Sequence, residues 1–277
     1  MARKLFCDLN PTCYAIATKK QIILRHLKNF FSREKFAKKK ASPLANLVAE
    51  YQCNMIKRAP GVDLTGQQNK AVNIRLASEK INGIIIRPGE TFSFCVTVGK
   101  CTKRKGFKEG RILIRNRLTT GLGGGLCNLA NTIHRMVLHS SLSVTEFHSH
   151  SDALAPDEGK RIVFSAGTAV QYNYIDYRFK NNTDQDMQLM VWCEGDHLHG
   201  QLRSERALQH DYELVEENHH FRKEGEKYYR YSEIYRILTD KNSGEKTKEL
   251  VRKNHSEVMY DHALIPADQI REFCKSS

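Results

Sequence analysis

Apolar positions recur every three to four residues over the first part of the chain and every second residue over much of the remainder. Ile23, Leu27 and Phe30 keep helical spacing. Ser42 followed by Pro43 reads as an N-cap with proline at the first helical position, and Leu44, Leu47, Val48, Tyr51 and Met55 then share one stripe. Both helices are expected to pack against a larger body. A third helix is predicted over residues 67–82, with Ile74, Ala77 and Ile81 on its apolar face and Gly83 as its stop.

Beyond Gly83 the period drops to two. Ile84 to Ile86, a Pro88-Gly89 turn, then Phe92, Phe94, Val96 and Val98 in alternation predict strand, turn and strand. Ile112 to Ile114 adds a short strand, and Thr119 to Gly125 reads as a glycine-rich loop. Helical spacing returns at Leu126, with Ala130, Ile133 and Val137 following, so Cys127 falls in a first turn. Strand patterns then dominate over 142–147, 161–166, 170–180, 187–193 and 198–203, with Glu194-Gly195-Asp196 as a hairpin turn. Residues 228–238 followed by Asn242-Ser243-Gly244 predict a peripheral hairpin. The expected fold is α+β: N-terminal helices packed on a mainly antiparallel sheet, with a central helix carrying a cysteine at its start. The pattern changes divide the chain into an N-terminal helical region, 1–66, a core domain, 67–210, and a charged C-terminal extension, 211–277.

At 277 residues and 40% hydrophobic content the chain can bury a substantial core. Lys and Arg number 44 against 31 Asp and Glu, a formal excess of 13, which favours an anionic partner without choosing among nucleic acid, lipid and phosphorylated precursors. The basic runs at 35–40 and 103–108 fit solvated faces as well as binding sites, so nucleic-acid binding ranks behind the other readings. No stretch has signal-peptide or membrane-span length, and a soluble cytoplasmic protein is the default expectation. Eight cysteines lie scattered without a C-x-x-C pair and read as reduced thiols, Cys95 and Cys193 as small apolar fillers.

A thiol at a helix start meets the positive end of the helix dipole and unpaired backbone N–H groups, both of which favour thiolate and lower the thiol pKa. Gly123, Gly124 and Gly125 would let a substrate approach and could offer amides to an oxyanion. The plainer alternative is a tight loop followed by a buried filler cysteine. His148 and His150 follow the helix at strand spacing, two apart, and Asp176 sits on a later strand beside Tyr172 and Tyr174, opposite Ile175, Tyr177 and Phe179. Cysteine, histidine and carboxylate in that order match papain-like and transglutaminase-like sites. A solvated strand aspartate is the competing reading of Asp176. Zinc on Cys127, His148 and His150 lacks the usual ligand spacing, and the glycine loop is neither of the common nucleotide-binding patterns. No metal and no cofactor is expected.

Arg87-Pro-Gly-Glu-Thr-Phe-Ser-Phe94, Gly123-Gly-Gly-Leu-Cys127, His150 and Asp176-Tyr-Arg-Phe-Lys-Asn-Asn-Thr183 together resemble the VanW family. That resemblance implies a context of peptidoglycan and glycopeptide resistance, and some VanW domains are implicated as cysteine L,D-transpeptidases. It implies Cys127 as acyl-enzyme nucleophile, His150 as base and Asp176 as the group orienting it. The partner implied is a muropeptide or peptidoglycan precursor, with Gly123, Gly124, Gly125, Asn128, His148 and Tyr174 as binding candidates. The family's usual glutamine after the cysteine is Asn128 here, and an aspartate of the following strand is Gly167. A non-catalytic module holding a precursor or other anionic partner in the same cleft is the competing class.

Overall fold

The computed structural model describes residues 5–58, 63–114, 117–149, 153, 156, 167–172 and 174–271. Its first long element is α1, Pro11–Phe31, where Asn10 caps the start by accepting the Cys13 amide at 2.8 Å. Helix α2 covers Leu64–Ile81, close to expectation, and Gly83 leaves it at φ +86°. Between them lies a correction: residues 46–54 are a strand, β1 (Asn46–Asn54), rather than a second helix. The stripe from Leu44 to Met55 fits a helix, but Ala49, Tyr51 and Cys53 point inward while Glu50, Gln52 and Asn54 point out. A bulge between Leu47 and Ala49 hides that alternation at the strand's start.

Strand β1 is the edge of an antiparallel sheet whose other members are β2 (Ile84–Ile86), β8 (Met187–Glu194) and β9 (His197–Ser204), in the order β1-β9-β8-β2. The hairpin expected at Glu194-Gly195-Asp196 joins β8 to β9 in continuous register from Glu194↔His197 to Met187↔Ser204. The chain continues from β2 through β3 (Thr91–Ser93), α3 (Phe94–Val98), β4 (Glu109–Ile114), β5 (Arg117–Leu122) and α4 (Leu126–Leu138). Strand β6 (Ser143–Glu146) and β7 (Arg178–Lys180) complete a second sheet, ordered β3-β7-β6. The apolar face of α2, with Ile74, Ala77 and Ile81, and that of α4, with Leu129, Ile133, Met136 and Val137, share one core with Leu189, Val191, Leu198 and Leu202 of the first sheet. Phe92, stacked on Phe179 at 4.9 Å, belongs to the same core from the second sheet. The fold is α+β.

Three further expected elements come out differently, and a fourth falls outside the described residues. Phe94 to Val98 is the short α3, because Ser93 accepts the Val96 amide at 3.1 Å and caps a helix where alternation predicts a strand. Thr119 to Leu122 pairs with β4 as part of β5 and is not loop. Of the described residues in the expected strand 170–180, only Arg178–Lys180 is in a ladder; Gln171 and Ile175 close a tight turn on themselves. The strand expected over 161–166 lies outside the described residues.

The C-terminal part is a three-stranded antiparallel sheet of β10 (His210–Glu224), β11 (Lys227–Asp240) and β12 (Lys246–Glu257). The predicted hairpin around residues 242–244 joins β11 to β12. Strand β10 escaped the pattern because the register slips between Glu217 and His220, which breaks its period of two. Arg236 donates to the Ser140 carbonyl at 2.8 Å and Arg252 lies 4.1 Å over the Phe147 ring, fastening this sheet to the end of α4 and the segment after it. Among the described residues no helix is long and apolar enough to cross a membrane.

His134, on α4, is buried and shares a 3.0 Å hydrogen bond with the Tyr177 hydroxyl. Burial, helped by the Arg252 charge, pushes its pKa from 6.5 down to about 3. Below pH 6.5 the unfolded chain takes up a proton that the native state refuses. This group's contribution is therefore complete above 6.5 and falls by about 1.4 kcal/mol per pH unit as pH drops toward 3. Urea midpoints measured from pH 7 to pH 5 should decline with that slope included, and His134→Gln should remove it; an unchanged slope contradicts the assignment.

Candidate functional site

Cys127 is the second residue of α4, and the three glycines before it are demanded by packing. Gly123 and Gly125 adopt φ +80° and +95°, a backbone region that favours glycine. Gly124 lies against Gly110 of β4 so closely that a Cβ would come within 2.2 Å of the Gly110 carbonyl carbon. Asn73 of α2 pins this contact, donating to the carbonyls of Gly124 at 2.9 Å and Lys108 at 3.1 Å while accepting the Lys108 amide at 2.8 Å. The loop thus fixes where α4 begins relative to α2 and the β4–β5 hairpin.

The amides that glycines offer on paper are mostly engaged. Gly123 donates to Lys108 at 3.1 Å, Gly124 to Gly121 at 3.3 Å, Leu126 to Gly123 at 3.4 Å and Asn128 to Gly125 at 3.0 Å. The amides of Gly125 and Cys127 carry no main-chain bond among the described residues. The thiol differs from expectation too. Cys127 keeps part of its surface exposed, yet the protein around it desolvates the sulphur and pushes the thiol pKa up, outweighing backbone hydrogen bonds from Val170 and from Cys127 itself. Burial raises this pKa more than those hydrogen bonds lower it, so the resting group is a neutral thiol.

The segment carrying Val170 is folded across α4. Asn131, one turn beyond Cys127, accepts the Thr168 amide at 2.7 Å. Thr168 bridges Ser149 in antiparallel fashion, and Ala169 donates to the His148 carbonyl at 2.6 Å. His150 itself lies outside the described residues.

Three other candidates are linked through Arg25 and Glu146. Asp176 is fully buried and accepts from Ser93 Oγ at 2.5 Å, from the amides of Cys95 at 2.8 Å and Tyr177 at 2.9 Å, and from Arg178 Nε at 2.7 Å. Neither the solvated reading nor the alternating-strand reading describes it. His148 Nε2 lies 2.9 Å from Glu146, whose carboxylate also takes a two-pronged bond from Arg25, both at 2.6 Å. Burial alone would raise the Glu146 pKa; the bonds from Arg25 and His148 and the nearby Arg178 charge reverse this and hold it low. The Tyr174 hydroxyl is turned to Tyr14 and Thr18 of α1, and burial with the Tyr14 bond pushes it well up. Asp176, His148 and Tyr174 thus belong to one polar cluster under α1, in which Asp176 is fully buried and His148 and Tyr174 are half-buried.

Asn128 faces a neighbour that sequence reasoning missed. Cys53 of β1 points its sulphur at Asn128 Oδ1, 3.5 Å away, and at Thr132 Oγ1, 3.6 Å away. Lys70 of α2 runs its stem over Gly125, and burial followed by the Lys57 charge lowers its pKa. Neither residue had a sequence signal, since Cys53 fell in a segment read as helix.

The family model for VanW-like proteins matches residues 69–203, the span from α2 to β9 that holds this geometry. Residues 69–203 form a VanW-like domain. It is 28% identical over 202 residues to the vancomycin B-type resistance protein VanW of Enterococcus faecalis, covering 73% of this chain and 74% of that one. It is 29% identical over 121 residues to the uncharacterized protein YoaR of Bacillus subtilis, covering 44% of this chain and 38% of the relative. No solved structure matches significantly. Two of the runs that carried the VanW resemblance are neighbours in space. Thr91, Phe92 and Ser93 pair with Lys180, Phe179 and Arg178, Gly89 donates to the Asn181 carbonyl at 2.8 Å, and Asn181 returns a bond to Glu90 at 3.0 Å. Asn181 also donates to the carbonyls of Ile86 at 2.7 Å and Gln185 at 2.8 Å. These VanW residues form a scaffold, and the glycine-cysteine run is the part that reaches a helix start.

Proposed function

We propose that this VanW-like protein belongs to a cell-wall, glycopeptide-resistance context and transfers or hydrolyses an acyl group of a muropeptide-like substrate through Cys127. The observation that carries this reading is the Cys127 setting: a thiol in the first turn of α4, faced by amide hydrogen bonds from Val170 and from its own residue. Because burial keeps the thiol protonated, attack requires a base that removes the proton as sulphur bonds to the carbonyl carbon. His150 is assigned this role in the papain-like order of parts, supported by Ser149, whose bridge to Thr168 runs that segment toward α4. The Gly125 amide, rather than those of Gly123 and Gly124, is the donor assigned to the oxyanion, joined by the Cys127 amide once that leaves the sulphur. Collapse of that oxyanion expels the amine with the proton from the base and leaves a thioester, which water or a second amine resolves.

Incubation with a muropeptide mixture followed by mass spectrometry should find an acyl adduct on Cys127 that is absent from Cys127→Ala and much reduced in His150→Ala. Without substrate, iodoacetamide should modify Cys127 with a rate that keeps climbing above pH 9, as the raised thiol pKa dictates. A plateau below pH 8 would contradict that burial. A binding module is favoured instead by the engaged amides of Gly123 and Gly124, and it predicts saturable muropeptide binding with no adduct, unchanged in Cys127→Ala.

A further inference from the structure

Helix α1 presents its polar side to the protein and its apolar side to solvent. Arg25 grips Glu146, Asn29 accepts from Arg178 at 2.8 Å, and Tyr14 and Thr18 hydrogen-bond with the Tyr174 hydroxyl. Positions 14, 18, 25 and 29 repeat at spacings of four and seven and so share one face. Ile16, Ile23, Leu27 and Phe30 occupy the opposite face. With Leu24 and Phe31 beside them they remain 46% to 80% exposed, and α1 buries no residue. A helix docked on a globular body ordinarily turns its apolar stripe inward, and an exposed apolar patch of this size marks an interaction surface.

Charge indicates what covers the patch. From residue 9 to residue 49 the chain carries nine basic residues and one acidic residue, Glu34, which is engaged by Arg178 and Thr91. Lys19 and Lys20 fall on either side of the stripe defined by Ile16 and Ile23. Two copies meeting through this face would oppose the same lysines at close range, whereas an anionic lipid surface would neutralise them and take up the apolar side chains. The 21-residue helix is about 31 Å long at ~1.5 Å per residue and does not have the apolar character of a span. We propose that α1 is an interfacial anchor, lying along the head-group region of an anionic bilayer with Ile23, Leu27 and Phe30 inserted and Lys19 and Lys20 on lipid phosphates. Through Arg25–Glu146 and Asn29–Arg178 the anchored helix holds the VanW domain beside the membrane. This inference does not depend on chemistry at Cys127.

The full chain should co-sediment with vesicles of phosphatidylcholine containing phosphatidylglycerol, and scarcely with phosphatidylcholine alone. Added salt should weaken the binding. Ile23→Ser, Leu27→Ser and Phe30→Ser combined should bind on the order of a hundredfold more weakly, with circular dichroism and thermal midpoint unchanged because these side chains already face water. Lys19→Gln with Lys20→Gln should weaken binding on the order of tenfold. In a Trp192→Phe background, Phe30→Trp should shift its emission to the blue on adding anionic vesicles. The proposal is overturned if the triple serine variant binds like the parent, since another basic surface then does the work, or if both vesicle types bind alike. It is equally overturned if sedimentation without lipid reveals a dimer that the triple variant abolishes while vesicles go unbound.

Discussion

Asp176→Ala should destabilise the protein by about 3–5 kcal/mol, the loss expected when one partner of a buried ion pair is removed. Asp176 accepts four hydrogen bonds from groups on three pieces of chain: Ser93 at the end of β3, Cys95 in α3, and Tyr177 and Arg178 leading into β7. Without its carboxylate, Arg178 stays buried with the more distant Glu34, 3.3 Å from Nη1, and Glu146, 3.4 Å from Nε. Asp176→Asn keeps an acceptor but not the charge and should fall between. Urea denaturation followed by circular dichroism measures both. A parental midpoint for Asp176→Ala would free this carboxylate from its structural role and return it to consideration as an orienting group for His150.

Gly124→Ala should cost about 3 kcal/mol, near the upper end for overpacking, because the added methyl meets main chain that has no rotamer to change. To admit it, α4 must move away from β4, and the Asn73 bond to the Gly124 carbonyl is stretched. Formation of any adduct on Cys127 should slow in the same variant, since the cysteine follows the helix start. Gly225→Ala is the matched control. Its φ of +60° is strained for alanine, but nothing lies within 4 Å of its Cβ, so the expected loss is only ~1–2 kcal/mol. Thermal melts of the two variants should separate clearly; equal losses would mean that the close approach at Gly110 relaxes without consequence.

The family motifs were legible in the sequence, and the reason for most of their residues was not. Arg87 to Phe94 and Asp176 to Thr183 look like separate runs of functional positions, yet they pair strand to strand and bond to each other. Asp176 matched the third member of a cysteine site by order along the chain alone. Order does not say what a carboxylate touches, and here it touches Ser93, Cys95 and Arg178. Cys53 was invisible as a neighbour of Asn128 because its strand alternates only after a bulge.

Local interactions were decided by the sequence itself. Helices α2 and α4 follow from their apolar spacing with Gly83 and the glycine run as punctuation, the β8–β9 hairpin from its Gly195 turn, and the placement of Cys127 in a first turn from both. These depend on residues within a few positions of one another. Tertiary structure decided the rest. Strand β1 exists because β9 lies beside it, the Cys127 thiol is protonated because surrounding protein excludes water from it, and α1 turns its stripe outward because Glu146 and Arg178 hold its polar face. Pairing, desolvation and the choice of which helix face is buried are set by groups far apart in the chain, and a periodic pattern contains no record of them.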